Sequence, residues 1–316
     1  MTELQPTYGS FSLKGIVVGL QNDRYYSEGE KEGGDKWHRL NFNVKVQNAA
    51  LIPVELMGST ATKIKLKRNY KKNDSIIVNW KERYTTSNYR IHMPLKVSLT
   101  TSESFELTSF DAIENIKENL KDGDSVYING SIQFQEYNGK VQAKFSIRDI
   151  GRLDQQLEAN ELHEQDAYFS QEIVFLNIEK DRNKSQYLVD SLILVKVDDV
   201  IRKIPYCFVI NYNKYIGQGS NEYITETIKM FKDMTYGTTV RIFGNINYLV
   251  PTIEVEGKLV VTGSAIKELE ITGGSLKSIV RNRYSVENIN ETVDSNPFIY
   301  EEKNDSASSV EHEWAF

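Results

Sequence analysis

Between residues 63 and 96 the chain sets ten basic side chains, Lys63, Lys65, Lys67, Arg68, Lys71, Lys72, Lys81, Arg83, Arg90 and Lys96, against two acids, Asp74 and Glu82. Tyr70, Trp80, Tyr84 and Tyr89 are interleaved with them. Ammonium and guanidinium groups follow phosphates, and planar rings stack on bases at about 1–3 kcal/mol per base. Cations alone would suit a duplex equally well, so it is the rings that turn the reading toward unpaired strands. Lys63, Lys65 and Lys67 alternate as they would on any solvated strand face, and Trp80 is in phase with Ile76 and Val78, which places it in a core. Trp37 differs: it projects with Arg39 and Lys45 away from Leu40, Phe42, Val44 and Val46, and so is expected on a binding face. Tyr127 and Lys144 join this set. A weaker second set, Arg241, Phe243, Tyr212 and Tyr215, lies more than a hundred residues downstream.

Other chemistries are not supplied. Neither Gly139-Lys140 nor Gly257-Lys258 has the upstream glycine of a phosphate-binding loop. His38, His92, His163 and His312 are scattered, without cysteines at zinc-ligand spacing. Asp198-Asp199 suits a hairpin turn better than an acid/base pair, and the lone Cys207, among the apolar residues 204–210, reads as a core thiol. The expectation is a protein with no catalytic residues, no metal and no cofactor.

The elements that must position these side chains are mainly strands. Period-two alternation over 37–46, 126–134 and 140–150 marks three of them, with Asn138-Gly139 as a tight hairpin turn. Phe110, Ile113, Ile116 and Leu120 suit one short amphipathic helix ending at Gly123. The order then repeats. Phe11, Ser12, Asp23 and Arg24 return 158 residues later as Phe169, Ser170, Asp181 and Arg182. Gly123, Val126, Ile128, Gly130 and Ile132 return 114 residues later as Gly237, Val240, Ile242, Gly244 and Ile246. The unequal offsets put about 44 extra residues between the first and fourth strands of the first copy. Residues 223–234 supply the second helix.

The net charge of −6 is unevenly placed. Residues 1–152 carry +4, 153–167 carry −5, 168–290 carry +1 and 291–316 carry −6. A local field, not the overall balance, acts on a ligand. The expected division is a first barrel over 1–152 with a basic, aromatic insertion at about 60–108, then an acidic linker over 153–167. A second barrel spans 168–275 and a tail 276–316, acidic from 291 and disordered there by composition. No run of about 18 apolar residues crosses a membrane, and the first residues have neither the basic nor the apolar part of a secretion signal, so a cytoplasmic protein is expected.

Three strands, a short helix and a two-strand hairpin with glycine in the fourth strand follow the order of the OB-fold, here twice, giving an all-β chain with short helices. With these features the chain resembles the tandem-OB single-stranded DNA-binding proteins made by bacteriophages. The end, Glu311-His312-Glu313-Trp314-Ala315-Phe316, is similar to the acidic tip of bacterial and phage proteins of that kind, although the usual Asp run and penultimate Pro are missing. The resemblance implies single-stranded DNA as ligand and replication or recombination proteins as partners of Glu311, Glu313, Trp314 and Phe316. A structural OB protein of a virion assembly, which would leave the basic face unused, and an RNA-binding protein are the alternatives.

Overall fold

The computed structural model describes residues 3–47, 50–69, 74–100, 103–158, 166–215, 221–249, 252–255, 258–261 and 266–290. The first half contains β1 (Gly9–Val18), β2 (Tyr26–Glu30), β3 (Lys36–Gln47), β4 (Ala50–Ser59), β5 (Lys63–Arg68), β6 (Ser75–Asn79), β7 (Tyr89–Ile91), β8 (Leu95–Thr100) and β9 (Glu103–Leu107). Then come α1 (Ser109–Asn119), β10 (Ser125–Tyr137) and β11 (Lys140–Arg152). β1 pairs antiparallel with β3, β3 with β4, β10 with β1 and β11 with β10, and a parallel pairing of β4 with β11 closes the ring. That is the strand order of an OB barrel. Alternation explains the core: Leu40, Phe42, Val44 and Val46 of β3 are buried, as are Ala143, Phe145 and Ile147 of β11. Asn138 (φ 51°) and Gly139 (φ 69°) form the tight turn between β10 and β11.

The second half repeats the ring with β12 (Ala167–Asp181), β13 (Gln186–Val197), β14 (Val200–Ile210), α2 (Asn221–Lys232) and β15 (Thr239–Leu249). A hairpin of β16 (Thr252–Val255) and β17 (Lys258–Val261), then β18 (Ile266–Gly274) and α3 (Val286–Asn290), complete the chain. Closure is again by a parallel pairing, β14 with β18. The repeat reaches individual hydrogen bonds. Val17 donates to Asp124 O and accepts from Gly123 N, both at 2.9 Å; Phe175 donates to Thr238 O (2.8 Å) and accepts from Gly237 N (2.9 Å). These pairs are related by the 158- and 114-residue offsets read from the sequence. A register shift falls at Asn129/Gly130 in one barrel and at Phe243/Gly244 in the other. A β-carbon at Gly130 would collide with Ser146 O, and at Gly244 with Glu270 O, so both bulges need glycine.

The two rings are one continuous sheet, joined where β1 pairs antiparallel with β12 in the register Ser10↔Ser170, Phe11↔Phe169, Ser12↔Tyr168. Phe11 and Phe169 are equivalent residues, so a local pseudo-two-fold axis passes between them. Phe134 of β10 packs on Tyr206 and Phe208 of the second barrel (ring centroids 4.8 and 6.4 Å). Its equivalent, Tyr248 of β15, packs on Phe145 of the first (5.5 Å) and donates its hydroxyl to Ala143 O (3.3 Å).

The extra residues of the first copy form β5–β9. β6, β5 and β7 make a separate three-stranded sheet, while β8 and β9 extend the barrel through a parallel pairing of β8 with β11. Helix α1 buries Ala112, Ile113 and Ile116, is capped by the Thr108 side chain, and sits so close to β4 that a β-carbon at Gly58 would strike the backbone of Ser109 and Phe110.

Two expectations need correction. The folded body continues past residue 275: the segment to Asn290 packs on the second barrel, with Tyr284 buried beside Val174, Leu192, Leu194 and Ile289. Its irregular turns and five-residue helix leave no periodic signature. Cys207 is exposed, on the side of β14 opposite the buried Phe208. β2 lies in the glycine-bearing stretch between β1 and β3, and its Tyr26 packs against His38, with Lys117 3.7 Å from its ring centroid.

Candidate nucleic-acid interface

On the outer face of β3 and β4 the register sets Trp37 beside Ser59, Arg39 beside Met57 and Lys45 beside Leu51. The Trp37 indole is half-buried and lies flat over Gly29 of β2, where a β-carbon would come within 2.8 Å of the ring. Arg39 and Lys144 converge on Glu55 at 3.0 and 3.8 Å, and Lys31 Nζ reaches Ser59 Oγ at 3.2 Å. Met57 stays 59% exposed between them. This face therefore carries an apolar patch within a cationic frame.

The three-stranded sheet has two unlike faces. Lys63, Lys65 and Lys67 share one with Ile77 and Arg90, by the pairings Lys65↔Ile77 and Lys67↔Arg90. Among the described residues no carboxylate lies within ion-pair distance of the three lysines, and Ile77 between them is 69% exposed. Arg90 reaches Glu106 at 3.1 Å, with both side chains about half exposed. The other face holds Leu66 and Ile91, both buried, and at its end Arg68, which pairs with Asp74 (3.1 Å) and lies 5.9 Å from the Tyr89 ring centroid.

Arg83 and Tyr84 are engaged elsewhere. Arg83 donates to both oxygens of Asp111 (2.9 and 2.8 Å) and to Trp80 O (2.9 Å), with its guanidinium 4.5 Å from the Trp80 ring centroid. Tyr84 donates to Asp111 (2.6 Å) and accepts from Thr108 N (3.0 Å). Trp80 meets Phe110 edge-on at 6.4 Å. The cluster fastens the insertion to the first turn of α1. Burial opposes ionisation of Asp111, but the hydrogen bonds from Arg83, Thr108 and Tyr84 outweigh it and hold the carboxyl below its usual range. Burial and the Asp111 hydrogen bond push Tyr84 up to about 12.

The remaining positions disperse. The Tyr127 ring covers Gly151 on β11 and lines a hollow with Ser98, Leu99 and Glu103 of β8 and β9. Arg241 faces Glu172 at 3.8 Å, and Phe243 stacks on Tyr168 (6.3 Å, 28°) over Gly273. Tyr212 packs on Tyr187 (5.5 Å) beneath Lys180. Tyr70, Lys71, Lys72, the Tyr215 side chain and the whole of Glu311, Glu313, Trp314 and Phe316 lie outside the described residues. Among the described residues no group of three His, Cys, Asp or Glu side chains could hold a metal ion, and no helix is long and apolar enough to cross a membrane.

A feature that sequence reasoning missed is the groove of ≈470 Å³ along the seam between barrels, lined by β3, β4 and β11 on one side and by Tyr206, Tyr248 and Lys267 on the other. Nothing local in the sequence unites residues from the two halves; only the shift of Phe134 onto Tyr248 hints at it.

The fold is thus a continuous pair of OB rings with a cationic insertion. Residues 30–306 match the YorF family, and the chain belongs to it. No curated protein sequence matches. Among solved structures, similar chains include the wild-type single-stranded DNA binding protein from Thermus aquaticus, at TM-score 0.37 and 9% identity, covering 89% of this chain and 96% of that one. A deletion mutant of the same protein gives TM-score 0.36 and 10% identity, covering 88% and 96%.

Proposed function

We propose that the chain binds single-stranded DNA, with little regard to sequence and without catalysing a reaction on it. The observation that carries this reading is the row of Lys63, Lys65 and Lys67 along one strand, exposed or half-buried and without a described counter-ion. Alternate residues of a strand are about 6.7 Å apart along a straight line. Such a row suits an extended phosphate backbone, whereas duplex phosphates wind away from a straight track. Trp37 and the exposed Met57, on the neighbouring outer face of β3 and β4, offer surface for unpaired bases. The protein would then act in DNA replication or recombination in a bacterial cytoplasm, with residues 291–316 recruiting partner proteins through Trp314 and Phe316.

The test is titration with single-stranded DNA, duplex DNA and single-stranded RNA of one length at several salt concentrations. The expected outcome is preference for the single DNA strand, with affinity falling steeply as salt rises through counter-ion release. Equal binding of duplex, or no binding, refutes the reading; tighter RNA binding moves it to RNA.

A further inference from the structure

We infer that the groove between the barrels is a second stretch of the nucleic-acid path, in which Tyr137, Lys140 and Lys267 hold a single strand as it leaves the first barrel; this rests on the reading proposed above. The cations come from both barrels. Lys140 opens β11, and Lys267 lies on β18 opposite Tyr248 in register, so the groove's two rims are each positive. Both lysines are exposed, and among the described residues neither has an ion-pair partner. The carboxylate that lines the groove, Glu55, is already neutralised by Arg39 at 3.0 Å and Lys144 at 3.8 Å. A phosphodiester entering there meets unopposed positive charge on both sides.

Tyr137 supplies the second half of the chemistry. It pairs with Lys140 across the tight turn, so its ring stands on the same outer face of the hairpin as Lys140 and Lys144. That ring is 60% exposed. An exposed ring beside Lys140, which lines the cationic groove, has the composition that binds unpaired strands: charge for the backbone and a plane for a base. The Tyr248 hydroxyl, donating to Ala143 O at 3.3 Å, ties the two sides of the groove together. The path is then longer than one barrel, and the second barrel contributes to binding through its rim.

The experiment compares an oligodeoxythymidine of about 8 nucleotides, within the reach of one OB barrel, with one of about 30, which must extend beyond it. The intact chain and a Lys140→Gln/Lys267→Gln variant are titrated with both. Two lost phosphate contacts should lower the slope of log affinity against log salt by about 1.4 for the long strand. The same loss weakens long-strand binding on the order of fiftyfold near about 50 mM salt. Binding of the short strand should stay unchanged. Tyr137→Ala should weaken the long strand by about fivefold or more, the loss of one stacked base. A Lys140→Arg/Lys267→Arg variant, which keeps the charge, should retain long-strand affinity and shows that any loss in the glutamine variant is not misfolding. No loss on the long strand, or equal loss on both lengths, overturns the groove assignment while leaving the DNA-binding reading intact. Failure of the intact chain to bind either strand removes that reading itself.

Discussion

In the first barrel Lys63, Lys65 and Lys67 have no described carboxylate within ion-pair distance, whereas in the second barrel several of the cations hold the fold together. Arg241 and Arg283 both face Glu172 (3.8 and 3.4 Å), Lys214 pairs with the fully buried Glu270 (3.1 Å), and Lys203 donates to the carbonyls of Asn288 and Ile289 (2.9 Å each). The frames are the same down to equivalent backbone hydrogen bonds, so the difference lies in what each ring carries. An insertion can present charge because it has no closure of its own to stabilise. A ring that must also anchor the segment 275–290 has fewer cations left to present. Charge counted along a sequence is thus a poor measure of charge available to a ligand.

The largest expected effect breaks this comparison directly. Replacing Lys63, Lys65 and Lys67 with Gln should lower the salt slope by about 2 and weaken single-strand binding by roughly two to three orders of magnitude near about 50 mM salt. Melting should be unaffected. Arg241→Gln should change affinity little, and a loss equal to that of the triple variant would show that the second barrel binds as strongly as the first.

Within the first barrel the contrast is between cations that bind and the cation that fastens. Arg83→Ala should reduce stability by roughly 2 kcal/mol in denaturant unfolding, less than for a fully buried pair because about a fifth of each side chain remains in water. Its pH signature has a definite sign. Asp111, with a depressed pKa, stabilises above its ordinary value of 3.8, and that contribution is lost as pH falls further. Tyr84, raised from 10.0 to about 12, stabilises below 10 and ceases to do so as pH climbs between those values. The latch is therefore intact across the neutral range, and Arg83→Ala should flatten the acid limb of stability against pH. An unchanged limb would mean that Asp111 is held by Thr108 and Tyr84 alone.

Smaller effects sharpen the picture. Trp37→Ala should cost about fivefold in affinity with the fold retained, since the ring rests on Gly29 outside the core, whereas Trp80→Ala, under Arg83 and against Phe110, should act mainly on melting. Deletion of residues 291–316, with seven acids and one base, should raise single-strand affinity a few-fold at low salt by removing a competitor for the lysine row, with the gain vanishing at high salt. A deletion that leaves affinity unchanged at low salt would rule out that competition.

Much of the frame was legible because alternation and glycine placement are local signals. The strand around Leu40–Val46, the Asn138-Gly139 turn and the two offsets all reappear in the pairing registers. The site was less legible. Whether Arg83 faces a ligand or Asp111, 28 residues away, is decided by where the insertion folds back on α1, and no period encodes that. Lys140 and Lys267 meet across the seam only because two rings pack together. Cys207 misled because an apolar neighbourhood says that a strand is buried, not which of its faces is.

The pairing of Phe11 with Phe169 has a further consequence. In the first ring the residues from Gly9 to Leu13 have β10 on one side, and on the other they have only β12 from the second ring. Because the two first strands meet antiparallel at equivalent residues, the edge is self-complementary: a lone barrel could satisfy it with the same strand of another molecule, Phe11 against Phe11. The tandem chain thus has the form of a homodimer made covalent. The acidic residues 153–167 link the first ring to β12, so an edge that would otherwise invite a second molecule is covered from within one chain.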